Sequence, residues 1–307
     1  MPDSIHLSPE VRDALASARP VVALETTIVS HGMPFPENLA TARALEEIVH
    51  AGGAVPATIA VLEGAIHVGL DASQLEWLAS ARGVLKLSRN DLAYAVACRK
   101  SGATTVAATM ICARLAGIRV FATGGIGGVH RGAAETFDIS ADLEELSQTP
   151  VAVVCAGAKA LLDLPKTLEA LETRGVPVIG YRTDEFPAFW SRSSGLPAPL
   201  RLDSPAEIAR LLLAQWNLAL PAGALICNPV AEQDEIPAAE IAAYISQAVS
   251  EAEGRAITGK AVTPYILARV VELTGGRSLR TNIALVKSNA RLAADIAVSL
   301  ALRGFDA

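Results

Sequence analysis

At 307 residues with a formal net charge of −6, the chain is long enough to bury a large core, and 51% of it is hydrophobic while only 4% is aromatic. Ala, Val, Leu and Ile therefore make that core, as where helices cover a largely parallel sheet, and the acidic balance without a basic stripe excludes a polyanionic nucleic-acid partner. Mean hydropathy is high at +0.36, yet no run approaches the roughly eighteen uninterrupted apolar residues of a membrane span, which assigns the surplus to a core or a subunit interface.

The first residues, MPDSIHLSPEVRDAL, are polar and acidic where a signal peptide is basic and then apolar. Cys98, Cys112, Cys155 and Cys227 are widely spaced and form no CxxC pair, so neither a disulfide frame nor a structural zinc site is expected. These features predict a cytoplasmic protein. Residues 20–28 (PVVALETTI) read as a buried strand interrupted by Glu25. A carboxylate in such a run is costly unless it is paired with a cation or put to use. His31 to Pro36 form a rigid loop, and Pro36 opens a helix over 37–51 that ends at Gly52-Gly53.

Two strands, 55–61 and 65–68, read as a hairpin turned at Glu63-Gly64, and Asp71 caps a helix over 72–81. Residues 85–91 carry Lys86 and Arg89, surface charges by default, ahead of a helix over 92–100. Thr104-Thr105 opens a helix over 106–115 whose first amides suit an anion.

The densest chemistry lies between 118 and 159. A strand over 118–122 feeds a turn with Gly124, Gly125, Gly127 and Gly128, which delivers His130 and Arg131. Asp138 and Asp142 then flank Ser140, and a strand over 151–155 ends in Ala-Gly-Ala and places Lys159 just beyond it. Open α/β sheets build their sites at strand ends of this kind. Each piece also has a plain structural reading. Lys159 is either a solvated cation or, buried among small residues, an amine nucleophile. The glycines also serve as a tight connection, and the aspartates suit the start of a helix over 141–148. Dinucleotide binding is disfavoured, because His130 stands where the third glycine of the fingerprint belongs. Gly259-Lys260 is followed by Ala261 and so makes no phosphate loop of the Walker type.

Beyond Lys159 the pattern stays α/β, with a helix over 166–173 and a strand over 176–181. The irregular stretch 182–202, with Phe186, Phe189 and Trp190, reads as a lid or an excursion. Ser204-Pro205-Ala-Glu207 is a capping box opening a helix to about 218. A strand over 224–227 follows, then helices over 236–253, 264–274 and 279–302, the last interrupted by Asn282 and Asn289. With no repeat or linker, a single α/β domain over 1–307 with a helical C-terminal part is expected.

Taken together, ALETTIVSHGMPFPENLATA, KLSRNDL, TTVAATM, VFATGGIGGVHRGAAETFDISADL, CAGAKALLDL, TPYIL and TGGRSLRTNIALVKSNARLAADIA form an ordered set. Over about residues 5–303 this set resembles the pseudouridine-5′-phosphate glycosidases, also called indigoidine synthase A-like proteins. The resemblance implies reversible conversion of pseudouridine 5′-phosphate and water to uracil and ribose 5-phosphate. It also implies a homotrimer, a three-layer α/β/α fold with a central mixed sheet, and one Mn²⁺ per subunit, replaceable by ions such as Mg²⁺. Carried onto this chain, the lysine of CAGAK is the covalent nucleophile, Lys159, and the glutamate of ALETTI is the proton donor, Glu25. Lys86 and Val106 contact the substrate, Asp138 holds the metal, and Ser140, Ala141 and Asp142 line the substrate. His130 and Asn282 match motif positions near the site.

These residues suit that chemistry. Pseudouridine joins ribose to uracil through carbon, which the usual carboxylate pair of glycosidases is poorly matched to release. An amine bonded to C1′ supplies an electron sink, and a carboxylic acid raised in pKa by burial supplies the proton. A different Schiff-base lyase of the aldolase type would use Lys159 equally well, and a non-catalytic binding protein is the other alternative.

Overall fold

The computed structural model of the chain describes residues 4–257 and 259–304. Among these, the apolar runs form eleven strands: β1 (Ile5–Leu7), β2 (Val21–Leu24), β3 (Val55–Leu62), β4 (Ala65–Val68), β5 (Leu85–Leu87), β6 (Gly102–Thr104), β7 (Val120–Ala122), β8 (Ala152–Cys155), β9 (Val178–Tyr181), β10 (Leu200–Leu202) and β11 (Ala224–Cys227). They lie in the order β1-β4-β3-β2-β7-β8-β11-β9-β10, with β6 also on β3 and β5 on β6. From β3 through β10 along that order all neighbours are parallel, whereas β3 pairs antiparallel with β4 and β6. The sheet is thus mixed, as expected. β2, β7, β8 and β11 are buried along their whole length, which is why their sequences run unbroken in Val, Ala, Leu, Ile, Phe and Cys.

Two crossovers decide where a site can form. After β2 the chain passes through the helix Glu37–Ala51 to β3 on one side; after β7 it passes through Ala141–Gln148 to β8 on the other. Crossovers of one hand running in opposite directions put these helices on opposite faces. The crevice opened by that reversal, at the carboxyl ends of β2 and β7, is the place where doubly wound sheets hold ligands. The long helix Arg277–Ala301 packs on β2, β7 and β8 and on the helices Glu37–Ala51 and Pro205–Asn217, while Val106–Ala116 packs on Ala141–Gln148. Helices cover the sheet in three layers.

The hairpin, the helix capped by Asp71 (Ala72–Ser80) and the capping contact of Ser204 with the Glu207 amide all appear. Three expectations are corrected. The strand expected over 20–28 stops at Leu24, because Thr26 turns its hydroxyl onto the Ile59 carbonyl at 2.7 Å and accepts the Thr104 amide at 2.9 Å. Glu25 therefore stands at the strand's carboxyl end and not inside it. Lys86 lies on β5, a strand that rests on β6, itself only three residues long and held by the second half of β3. Within the irregular stretch 182–202, residues 186–191 are core and not a lid, with Phe186, Phe189 and Trp190 at most 2% exposed, while 192–202 run along the surface. The Trp190 indole N–H donates to the Ser278 carbonyl at 3.1 Å, and the Phe189 amide donates to Ala156 at 3.0 Å. Burial of three aromatics and these bonds anchor the first half of the crossover in the core.

Candidate active site

A cavity of about 330 Å³ occupies the crevice. All ten residues singled out from the sequence line it: Glu25, Lys86, Val106, His130, Asp138, Ser140, Ala141, Asp142, Lys159 and Asn282. The topology explains most of the convergence: Glu25, His130 and Lys159 follow the ends of β2, β7 and β8, Val106 and Ser140 to Asp142 stand at helix starts, and Lys86 on β5 and Asn282 on the last helix close the cavity from its sides.

Lys159 is held by the two glycine-bearing turns. Past β8, the Ile126 amide donates to the Gly157 carbonyl and the Lys159 amide donates to Ile126, both at 3.1 Å. Gly157 has φ +82°, and a Cβ there would lie 2.1 Å from the Pro187 carbonyl oxygen, so glycine is required twice over. The Lys159 Nζ then donates to the Gly125 carbonyl at 2.8 Å. Gly127 is glycine for closeness alone: a Cβ would sit 2.2 Å from Ser140 Oγ. These glycines thus do more than connect two elements.

Glu25 faces the same space. Thr123, the residue after β7, donates its hydroxyl to Glu25 Oε1. Burial pushes the Glu25 carboxyl above its ordinary range; the Lys159 ammonium and the Thr123 hydrogen bond oppose the rise, Asp142 adds to it, and Lys86 opposes it. The net direction is upward, which suits a group that must hold a proton until it is needed.

Asp142 plays a different part. Its Oδ1 accepts the Ala107 amide at 3.0 Å and its Oδ2 the Gly127 amide at 2.8 Å. The anion expected at the start of the Val106–Ala116 helix is thus the chain's own carboxylate, clamping that helix to the glycine turn. It still lines the cavity, beside Val106, Ser140 and Ala141.

His130 Nδ1 lies 3.9 Å from Asp138 Oδ2. Burial lowers the imidazole's pKa; Asp138 raises it, and Lys159 and Lys86 lower it further, leaving a net lowering that favours the neutral ring. Among the described residues no group of three or more His, Cys, Asp or Glu side chains is placed to cage a metal. Asp138 offers the cavity a single half-exposed carboxylate. One hard oxygen donor, with water and substrate oxygens completing the shell, fits a hydrated Mn²⁺ or Mg²⁺ and does not suit a metal that needs a protein cage.

The two polar intrusions of the last helix are explained. Asn282 keeps a buried Oδ1 without a partner at the cavity wall. Asn289, fully buried, donates its Nδ2 to the Thr123 carbonyl at 2.8 Å and accepts from Asn228 Nδ2 at 3.0 Å. The sequence reading missed His31, which also lines the cavity. Its Nε2 lies 3.2 Å from the Val84 carbonyl, an acceptor, so Nε2 carries the hydrogen and Nδ1 is left as a buried acceptor. Its place six residues after Glu25 and just ahead of Pro34 and Pro36 was the available signal; the structure puts it in a short helical turn, Ile28–Gly32, where a loop is expected. Phe189 forms another wall, where a Cβ on Gly125 would come within 2.7 Å of its ring. Arg89 turns away, toward Glu145 at 3.7 Å.

The profile of the family described as indigoidine synthase A-like protein matches residues 10–299. Proteins named pseudouridine-5′-phosphate glycosidase from Solibacter usitatus and Methylobacterium nodulans are 72% and 66% identical over 96% of this chain, covering 99% and 88% of their own lengths. The crystal structure of the prealnumycin C-glycosynthase AlnA, in complex with ribulose 5-phosphate, superposes with a TM-score of 0.91 at 40% identity and 99% coverage of both chains. An indigoidine synthase A-like protein from Thermotoga maritima superposes with a TM-score of 0.89 at 37% identity, covering 97% of this chain and 96% of its own.

Proposed function

The chain belongs to the indigoidine synthase A-like family, and from that premise we propose that it reversibly cleaves the C–C glycosidic bond of pseudouridine 5′-phosphate to uracil and ribose 5-phosphate. One observation carries the mechanism: a lysine amine and a carboxyl of raised proton affinity meet in one cavity at the reversal of the sheet. Lys159 Nζ attacks C1′ as the amine, its ammonium proton having passed to solvent. That carbon already holds C2′, uracil C5, hydrogen and O4′, so a new bond to nitrogen requires O4′ to leave with its electron pair. The proton released by the attacking nitrogen goes to O4′, and the ribose opens. Glu25 then gives its proton to uracil C5. The nitrogen lone pair forms the C1′=N bond as the C1′–C5 pair returns to the pyrimidine ring, and uracil departs with a new C5–H. Water adds to the imine, its proton restores Glu25, and ribose 5-phosphate leaves with the Lys159 amine regenerated.

The neutral His130, Asn282 with its unpaired Oδ1, Lys86, Val106 and the Ser140–Asp142 turn bind and orient the substrate around these two groups. Mn²⁺, or another divalent ion such as Mg²⁺, would be held by Asp138. When bound, it supplies positive charge to anionic substrate oxygens. The assembly we propose is a cytoplasmic homotrimer of single-domain chains. The apolar surplus and exposed aromatics such as Phe137, at 82% exposure, favour an interface. Among the described residues no helix is long and apolar enough to cross a membrane.

A second reading, another Schiff-base lyase on a sugar phosphate, is favoured by the 40% identical C-glycosynthase, whose structure holds a ketopentose phosphate. Incubating the protein with pseudouridine 5′-phosphate and Mn²⁺ separates the two. Free uracil, lost on chelation and restored by Mn²⁺, is expected. No uracil, with aldol cleavage of a sugar phosphate in its place, would select the second reading, and full activity in excess chelator would remove the metal from the account.

A further inference from the structure

We propose that Thr123 is the positioning residue of the proton transfer: its hydroxyl occupies Oε1 of Glu25 and so fixes Oε2 as the oxygen that delivers the proton. The inference rests on the reaction proposed above, and Thr123 acts only through Glu25.

The sheet register creates the pair. β2 and β7 are parallel, and their ladder ends at Leu24 opposite Ala122. One step further, Glu25 and Thr123 are neighbours just past the last rung. Thr123 is 1% exposed and its backbone is fixed from two sides. Its amide donates to the Val154 carbonyl on β8 at 3.0 Å, and its carbonyl accepts Asn289 Nδ2 from the last helix at 2.8 Å. A threonine hydroxyl has one proton to give, and here it goes to Oε1. A carboxylic acid whose one oxygen already accepts that bond carries its own proton on the other oxygen. The direction of delivery is thereby set by the β2–β7 register and not by a freely turning carboxyl.

The same bond sets the acidity. The groups that act on Glu25 besides Thr123 are Lys159, Asp142 and Lys86. A hydroxyl donor favours the ionised carboxylate and so holds back the rise that burial imposes. Removing it must let Glu25 keep its proton to higher pH while freeing the carboxyl to turn.

Thr123→Val tests this with little change of shape. Turnover of pseudouridine 5′-phosphate is expected to fall by roughly 10- to 100-fold in kcat, the range for losing a hydrogen bond to a charged group, with KM changed by less than about threefold. The basic limb of the kcat–pH profile is expected to move to higher pH. Thr123→Ser should restore both rate and limb, and Thr123→Ala should repeat the limb displacement. Borohydride trapping of ribose 5-phosphate, which needs the Lys159 amine and not the delivery of a proton to uracil C5, should reach wild-type stoichiometry at long incubation in all three, reporting an intact site. An unmoved limb and rate in Thr123→Val, or a serine variant no better than valine, would overturn the proposal. Wild-type protein that neither traps the sugar nor releases uracil would instead overturn the reaction on which it rests.

Discussion

Glu25, at the end of β2, and Glu46, on the helix Glu37–Ala51, are both partly buried and both accept a hydroxyl hydrogen from a threonine near or on a neighbouring strand. Thr123 serves Glu25, and Thr58 on β3 serves Glu46 at 2.5 Å. Burial pushes both carboxyls up, and the threonine bonds oppose it. What differs is the company. Glu46 has His50 and Arg43 within electrostatic reach, whereas Glu25 has Lys159, Asp142 and Lys86 and borders the cavity. Glu145, bonded by Thr149 and raised by burial, repeats the motif a third time. A perturbed carboxyl with a threonine partner is therefore a recurrent packing solution here, and function follows from standing at the sheet's reversal beside an amine.

The comparison is broken most severely by removing that amine. Lys159→Ala should lower uracil release by more than about 1000-fold, because no other group forms the bond to C1′. Lys159→Arg should be nearly as inactive, since a guanidinium stays charged. Next, Glu25→Gln should lose about 100- to 10,000-fold in kcat, as for a general acid, while Glu46→Gln stays within about twofold of wild type. Equal losses in the two glutamine variants, measured by uracil release, would erase the distinction drawn between them.

Much of this was legible in the sequence. The buried parallel strands announce themselves as apolar runs, so the ends of β7 and β8, the glycine turn and Lys159 followed from periodicity. What was not legible depends on pairing. β6 is three residues long and is held as a strand by its pairing with β3 and β5. The early end of β2 is set by a hydrogen bond from Thr26 to a residue 33 positions away, so Glu25 looked like a charge inside a strand. Thr123 carries no local signal at all; its role comes from the β2–β7 register. The crossover 182–202 has loop composition, and only the structure reveals 186–191 as core, where Trp190 donates to the Ser278 carbonyl and Ser191 to the Ile236 carbonyl.

Smaller effects sharpen the picture. Asn289→Ala strips the Thr123 carbonyl and the Asn228 amide of a buried partner, and should cost about 1–3 kcal/mol of stability, read as a lowered Tm or denaturation midpoint. A midpoint unchanged from wild type would show that the asparagine pair carries no stability. The smallest effect concerns pH. Glu46 binds its proton more tightly folded than unfolded, so its contribution to stability is present below the ordinary value of 4.5 and is lost as pH rises through the raised folded value. Glu46→Gln, neutral throughout and still able to accept from Thr58, escapes that loss. Its Tm should exceed wild type by about 1–2 °C near neutral pH, with the gap closing in acid. A gap that widens in acid would reverse the sign assigned to burial at this site.

The central claim is that Lys159 forms a covalent bond with the sugar carbon, and it has a direct chemical readout. Ribose 5-phosphate in its open-chain form presents an aldehyde at C1, so incubation with the enzyme followed by borohydride should reduce an imine to a permanent amine. Mass spectrometry of the intact chain should show a single added sugar phosphate, and peptide mapping should place it on Lys159. Glu25→Gln should still be trapped and Lys159→Ala should not. A sugar found on another lysine, or a Lys159→Ala protein that releases uracil near the wild-type rate, would contradict the account.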